Sequence, residues 1–478
     1  MRSKAKEKEL FESTPIMRAI AELAFPSIMG QIILVIYNMA DTFFVGLTRS
    51  DEMITAVTVC MPAFMFLSAI SNLFGVGGAS VISRFLGLHN KKDASRASSF
   101  AIWGCTAVST LYAFGAWLFM DTFVDLLGGG NNATVHTEAC RYMLIAVVLG
   151  GVVTALNTLF SHLVRAEGRS LQASIGIVLG GVLNMALDPL FMFVILPRGN
   201  EVVGAALATM LSNVAALIYF IIIIAKNRRE LVLSVKPEAA MFKNKIPSSV
   251  ISIGIPACLM TLCENISYAI LDNLMGVAGT AQQAGIGVAK KVNMLAHSIV
   301  RGMSQGVLPL IGYNFASGNK KRMRRTVYIS AGISIAISAV CMVVCLLFAR
   351  ELIGLFIPEA SESHEWGNSF LRILCIGAPF SACAYAVISF FQATGHGIRS
   401  LVLALLRKGV LDIPLMFILN SVYPTYGIVW ATPSADIVCS ICAIILFVAF
   451  MKRHGQDAPP AADKGVKETV GETVSANA

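Results

Sequence analysis

The chain has 478 residues, 56% of them hydrophobic and only 14% charged, with a formal net charge of +9. Repeated apolar runs of about 20 residues or more, each long enough to cross a bilayer, exclude a soluble globular protein and point to an integral membrane protein. In a soluble chain the positive balance would suggest nucleic acid as a partner; here its distribution over the loops reads as topology, and no nucleic-acid partner is expected.

Residues 1–15 (beginning MRSKAKEKEL) form a charged leader that runs straight into the first apolar segment, so no cleavable signal peptide is expected. Apolar runs between charged or Gly/Pro-rich breaks then predict twelve helices, at 16–48, 54–87, 92–119, 135–163, 168–196, 201–226, 247–278, 281–316, 319–349, 366–393, 397–422 and 425–452. Several exceed the minimum span and are expected to tilt, kink or project beyond the membrane. The leader, every second loop and the tail, with the helix ends that adjoin them, carry 27 Lys and Arg, whereas the alternate loops carry three, Arg49, Arg198 and Arg350. By the positive-inside rule both termini face the cytoplasm, and the surrounding lipid bilayer is the inner (cytoplasmic) membrane of the cell.

A repeat is legible at an offset of about 230 residues. Pro26 and Gly46 in helix 1 match Pro256 and Gly276 in helix 7, GLHNKKD at 87–93 matches ASGNKKR at 316–322, and GGVLN at 180–184 resembles KGVLD at 408–412. Six helices per repeat is an even number, so both halves enter from the same side and are related by an axis along the membrane normal. The expected architecture is an all-α membrane protein of two six-helix lobes with a cleft between them. Residues 16–226 form the first lobe, 227–246 a cytoplasmic inter-lobe loop, 247–452 the second lobe and 453–478 a disordered cytoplasmic tail. A monomer is expected.

Charge inside the apolar runs carries the chemistry, because a charged side chain near mid-bilayer costs about 2.5–3.5 kcal/mol on insertion scales. Asp41 in helix 1 and Asp188 in helix 5 lie at one depth, roughly 25–27 Å from the inner face at 1.5 Å per residue. Tyr37 and Asn38 share the face of Asp41, Asn184 stands one turn from Asp188, and Thr209 and Asn213 on helix 6 with Tyr142 and Asn157 on helix 4 can complete the group. Apart from Arg141 at the outer end of helix 4, the Lys and Arg of these six helices all lie at their cytoplasmic ends and none in their interiors, so two neighbouring carboxylates without a base could take up and release protons near physiological pH. The same oxygens would also suit Na⁺.

The second half mixes Glu264, Asp272, Asp412 and Asp436 with Lys290, Lys291, Arg301, Arg407 and Lys408, a composition that favours internal ion pairing, with Glu264 as a possible second ion or substrate site. Candidate cleft walls are Tyr37, Asn38, Asn157, Met39, Met61, Met65, Phe66, Met260, Met294 and Met303, since thioethers and rings accommodate varied apolar ligands. No GxxxxGK[ST] motif, DDxxD, HExxH or His cluster is present, so neither ATP hydrolysis nor a membrane-bound enzyme is expected, and no cofactor or metal. The CxxC of Cys439 and Cys442 and the other nine cysteines are read as packing, and the Asn132-Ala133-Thr134 triplet as a chance sequon.

The pattern resembles the multidrug and toxic compound extrusion (MATE) transporters. The residues that carry the likeness are Pro26 with the YNMADTFFVG run, the GLHNKKD loop and its copy, RAEGRS at 165–170 and NMALDPLF at 184–191. The resemblance implies two six-helix lobes in a V, with H⁺ or Na⁺ influx driving export of small organic, often cationic, compounds. It also implies that Asp41 and Asp188 are paired acids of a first-lobe proton site, with Tyr142, Asn184 and Thr209 as their polar partners. Glu264 is similar to the helix 7 acid of Na⁺-coupled members, but Cys383 stands about where those members carry an Asp in helix 10. The reading is therefore an antiporter coupled to H⁺ rather than Na⁺; the alternative is a flippase of lipid-linked precursors, which needs a cationic cleft.

Overall fold

A computed structural model describes residues 4–48 and 50–454. The tail beyond residue 454, the first three residues of the leader and Arg49 lie outside the described residues. The regular structure of the described residues is all helical, and the twelve expected segments are all present, six of them as single helices in the first two thirds of the chain: α2 (Ile16–Gly46), α3 (Asp51–Gly87), α4 (Lys91–Leu118), α9 (Glu201–Lys226), α10 (Ile246–Ala278) and α11 (Thr280–Ala316). Two more unbroken helices follow, α12 (Lys320–Leu347) and α18 (Tyr426–His454).

The other four segments are interrupted, and the interruptions repeat. Helix 4 is α6 (Ala133–Met143), a π-helical stretch Leu144–Leu149 and α7 (Gly151–Ala166), bent by 48° at Gly150. Helix 10 is α14 (Glu362–Ile376) and α15 (Ala378–Ala393), bent by 42° at Gly377, its counterpart in the second half. Helix 5 is α8 (Ser170–Pro189) followed by π-helical Leu190–Ile195. Pro189 has no N–H to donate, so the backbone widens there. Helix 11 is α16 (Gly397–Leu405), π-helical Leu406–Leu411 and α17 (Asp412–Val422).

Among the described residues eight helices are long and apolar enough to cross a membrane alone, and the two bent pairs bring this to ten. The two segments that fall short, α11 and α16 with α17, hold Lys290, Lys291 and Arg301 or Arg407, Lys408 and Asp412. They cross nevertheless, because most of those charges are satisfied inside the protein.

The repeated NKK loops are helix caps. Asn90 accepts from the Asp93 amide at 3.1 Å to start α4, and Asn319 accepts from the Arg322 amide at 3.1 Å to start α12. Each follows a left-handed residue, His89 (φ 57°) or Gly318 (φ 78°). Asn132, the head of the sequon, likewise caps α6.

Core packing divides the molecule into two lobes joined at one end. One large cluster runs through both halves, from Leu23, Ile82 and Phe160 to Val250, Val307 and Phe390. Two smaller clusters are each confined to one half, one around Val57, Leu67 and Met143 and the other around Leu271, Phe370 and Val429. The lobes thus close where the large cluster sits and separate toward the other end. At the closed end α3 and α10 approach so tightly that a Cβ on Gly77 would strike the Val250 carbonyl and one on Gly254 the Leu73 carbonyl. Outward faces carry exposed Leu111, Trp117, Val343 and Ile445, as lipid-facing surfaces require.

Three features were not legible in the sequence. The leader folds as α1 (Lys4–Glu12), with Leu10 and Phe11 buried at the closed end. Two short helices, α5 (Met120–Leu126) and α13 (Ala349–Gly354), mark the far end of each lobe. The inter-lobe loop is docked: Glu167 accepts from the Val232 and Leu233 amides at 3.0 and 2.9 Å, and Arg169 pairs with Glu230 at 2.7 Å. All eleven cysteines are free, and Cys439 points its thiol at the Leu403 carbonyl.

Candidate functional site

A cavity of about 470 Å³ opens between the lobes, walled by α2, α3, α7, α8 and α9 on one side and α10, α11 and α15 on the other. Of the expected wall residues, Tyr37, Asn38, Met39, Met61, Met65, Asn157, Met260 and Met294 line it. Phe66 and Met303 do not. Phe66 is 41% exposed on the outside of α3, against Tyr112, and Met303 is buried in the core that joins the lobes. Apolar side chains on a membrane helix divide among lipid, core and cleft, and their type alone does not say which.

Behind the first-lobe wall the structure assembles the expected polar group. Asp188 is fully buried in the last turn of α8, and Asn184, one turn earlier, donates to its Oδ1 at 3.1 Å. The same Asn184 amide reaches Thr209 Oγ1 on α9 at 3.4 Å, and Asn157 on α7 donates to Asn213 at 2.9 Å. Asp41 on α2 is half-buried; it and Asp188 lie close enough to feel each other's charge, and Tyr37 and Tyr142 feel both. Gly181 makes this possible, because a Cβ there would meet the Tyr37 ring at 2.9 Å.

Among the described residues neither acid forms an ion pair, and Asp188 Oδ2 is buried with no hydrogen-bond partner. The one base at hand, Arg141, is taken up by Glu138 at 2.9 Å. Tyr37, Asn184, Thr209, Asn157 and Asn213 face the cavity, while Asp41, Asp188 and Tyr142 stand outside its lining. A proton on these acids therefore lies behind a polar sleeve rather than on the cleft surface.

The second lobe is built the other way, with its acids and bases neutralising each other. Asp412 accepts from Lys408 at 2.8 Å, Ser267 at 2.6 Å and Thr432 at 2.9 Å. Arg407 donates to Asp436 at 2.6 Å and to Ser381 at 3.0 Å, and Lys290 holds Asp272 at 2.6 Å. Glu264 does face the cavity, but both its oxygens are taken by one nitrogen of Arg301, at 3.0 and 2.9 Å. The position of Cys383, on α15, supplies no carboxylate beside it. Elsewhere among the described residues, Asp121, His136 and Cys140 bring three potential ligand atoms within 4.8 Å at the far end of the first lobe, away from the cleft.

Sequence reasoning missed the closed end of the cavity. There Gln31 on α2 donates to Gln305 on α11 at 3.2 Å, and Arg165, in the last turn of α7, reaches the same Gln305 oxygen at 3.2 Å. Asn72 on α3 donates to Thr261 on α10 at 2.9 Å, and Ser80 to the Gln392 carbonyl at 2.5 Å. Each bond crosses from lobe to lobe. Nothing in the local sequence distinguishes these polar residues from loop-facing ones.

The family model MatE matches residues 26–190 and again 256–418, two copies whose starts are separated by the offset seen in the sequence. This chain belongs to the MATE family of membrane transporters. The multidrug export protein MepA of Staphylococcus aureus (strain MRSA252) is 30% identical over 439 residues, covering 91% of this chain and 94% of its own length. Among solved structures, a MATE in the straight conformation aligns with a TM-score of 0.85 at 23% identity, over 94% of this chain and 99% of that one. The outward-facing conformation of a multidrug resistance MATE family transporter of the MOP superfamily aligns at 0.83 and 23%, over 93% and 98%. The twelve-helix, two-lobe fold is thus that of MATE transporters, which transport and do not catalyse a reaction.

Proposed function

We propose that the protein is an H⁺-coupled multidrug antiporter that exports small organic, often cationic, compounds by alternating access. One observation carries the choice of ion: Asp188, buried, and Asp41, half-buried, form no ion pair among the described residues, whereas the Glu264 carboxylate is already occupied by Arg301. An unpaired carboxylate gains or loses a proton without first breaking an ion pair, whereas freeing Glu264 for Na⁺ means displacing Arg301 from both of its oxygens. The name of the S. aureus relative supports multidrug export.

With the cleft open at the end away from α1, protonation of the acid pair alters hydrogen bonding between α2 and α8 and releases substrate; deprotonation on the other side resets the site. In this reading the α1 end is cytoplasmic, both termini face the cytoplasm, and the protein is a monomer in the bacterial cytoplasmic membrane. Residues 16–226 and 247–452 are the two lobes. The separation of the core into one large shared cluster and smaller clusters each confined to one half supports that division.

A flippase for lipid-linked precursors needs unpaired cations along the cleft. Lys290, Arg301, Arg407 and Lys408 are each paired with an acid, which leaves Arg165 and Lys291 as the cavity-lining cations without an ion pair among the described residues and weakens that reading. Accumulation of a fluorescent cationic dye in cells stripped of their own pumps tests the choice. Expression is expected to lower dye levels, collapse of the proton gradient to restore them, and removal of Na⁺ to change nothing. Dye levels unaffected by expression would favour the flippase.

A further inference from the structure

The closed end of the cleft holds a guanidinium with no counter-charge. Arg165 is 2% exposed, lines the cavity, and forms no ion pair among the described residues. Nη1 is held by Gln305 at 3.2 Å, which fixes the plane of the group, while Nε and Nη2 are buried with no partner. Those two atoms form one edge of the guanidinium, spaced to match the two oxygens of a carboxylate. The neighbouring His162 is buried too and brings no negative charge. A position in the last turn of α7 gives some relief from the helix dipole, but that interaction is small beside the cost of burying an unpaired cation.

Building on the multidrug-export reading, we propose that Arg165, oriented by Gln305 and Gln31, is a subsite for the carboxylate of zwitterionic amphiphiles. The opposite charge at the other end comes from Asp41 and Asp188, behind the polar sleeve of Tyr37, Asn184 and Thr209 that lines the cleft there. Gln31 and Asp41 are ten residues apart on α2, about 15 Å at 1.5 Å per residue. A drug-sized molecule with a carboxylate at one end and an amine at the other spans that distance, its apolar body lying against Met65, Met260 and Met294.

The test uses two probes that differ only in the anionic group: an aromatic amino acid amphiphile and its methyl ester, each bound at equilibrium to the purified full-length protein in detergent. Wild type is expected to hold the carboxylate at least tenfold tighter than the ester. In Arg165→Gln the ratio falls to near one; in Arg165→Lys it lies between, because an ammonium offers charge without the fork. A wild-type protein that does not prefer the carboxylate, or an Arg165→Gln variant that keeps the wild-type ratio, overturns the subsite. Because the readout is a binding ratio, its failure is separate from failure of the export reading, which dye efflux measures on its own.

Discussion

Lys408 and Asp412 stand one turn apart, both fully buried, and Asp412 also accepts from Ser267 and Thr432. Removing the ammonium leaves a carboxylate in a low-dielectric interior with only two hydroxyls to compensate, so Lys408→Ala is expected to cost about 3–5 kcal/mol. Lys290 holds Asp272 just as closely, but the Asp272 side chain is 43% exposed, and Lys290→Ala is expected to cost no more than about 1 kcal/mol. Thermal unfolding of the two variants in detergent checks this contrast; equal losses would mean that burial does not set the worth of these pairs. Which acids were paired was only partly legible. Composition separated a base-free first half from a mixed second half, and the structure bears out the mixture as ion pairs. It could not say that Arg301 takes Glu264, because the two lie on different helices and their meeting depends on how α10 and α11 are rotated.

The elements differ in how far their sequence announces them. Long apolar helices are visible because their whole length is constrained, and the repeated NKK loops because an Asn cap needs that residue at that place. The bends at Gly150 and Gly377 and the π-helical stretches leave no pattern in hydrophobicity. The helix α1 escaped notice for a different reason: nine residues rich in Lys and Glu look solvated, yet Leu10 and Phe11 among them are buried. Phe11 stacks on Tyr313 at 4.9 Å, Glu12 accepts from the Tyr313 hydroxyl at 2.6 Å, and Arg322 donates to the Leu10 and Phe11 carbonyls at 3.1 and 2.7 Å. On its other side Phe11 meets Gly168, in the turn between α7 and α8. One short helix thus touches both lobes at the end where they close. Burying an aliphatic or aromatic side chain is worth about 1.5–3 kcal/mol. The double variant Leu10→Asp, Phe11→Asp is therefore expected to shift the population toward the form open at the α1 end. Spin labels placed across the seam report this as a longer distance, and an unchanged distance distribution would deny α1 any part in holding the lobes together.

At the scale of the whole molecule, a duplicated scaffold carries unlike chemistry in its two copies. Pro26 and Pro256, Gly150 and Gly377, and Asn90 and Asn319 keep their places across the repeat, while Leu271 stands where the first copy has Asp41. The repeated residues set helix starts, bends and close approaches, so both lobes fold alike; the unrepeated ones give the first lobe an acid pair without a cation and the second a neutralised core. This asymmetry was readable from the sequence, since it needs only the repeat register and the residue types. The polar seam of Gln31, Gln305 and Arg165 was not, since it exists only once the lobes meet. Coupling of transport to a proton at the first-lobe acids is the central claim, and dye transport into proteoliposomes under an imposed pH gradient tests it most directly. Asp41→Asn and Asp188→Asn, which keep the shape of the side chain and remove its titration, are each expected to lower gradient-driven transport at least tenfold with normal yield of folded protein. Full proton-driven transport by either variant would contradict it.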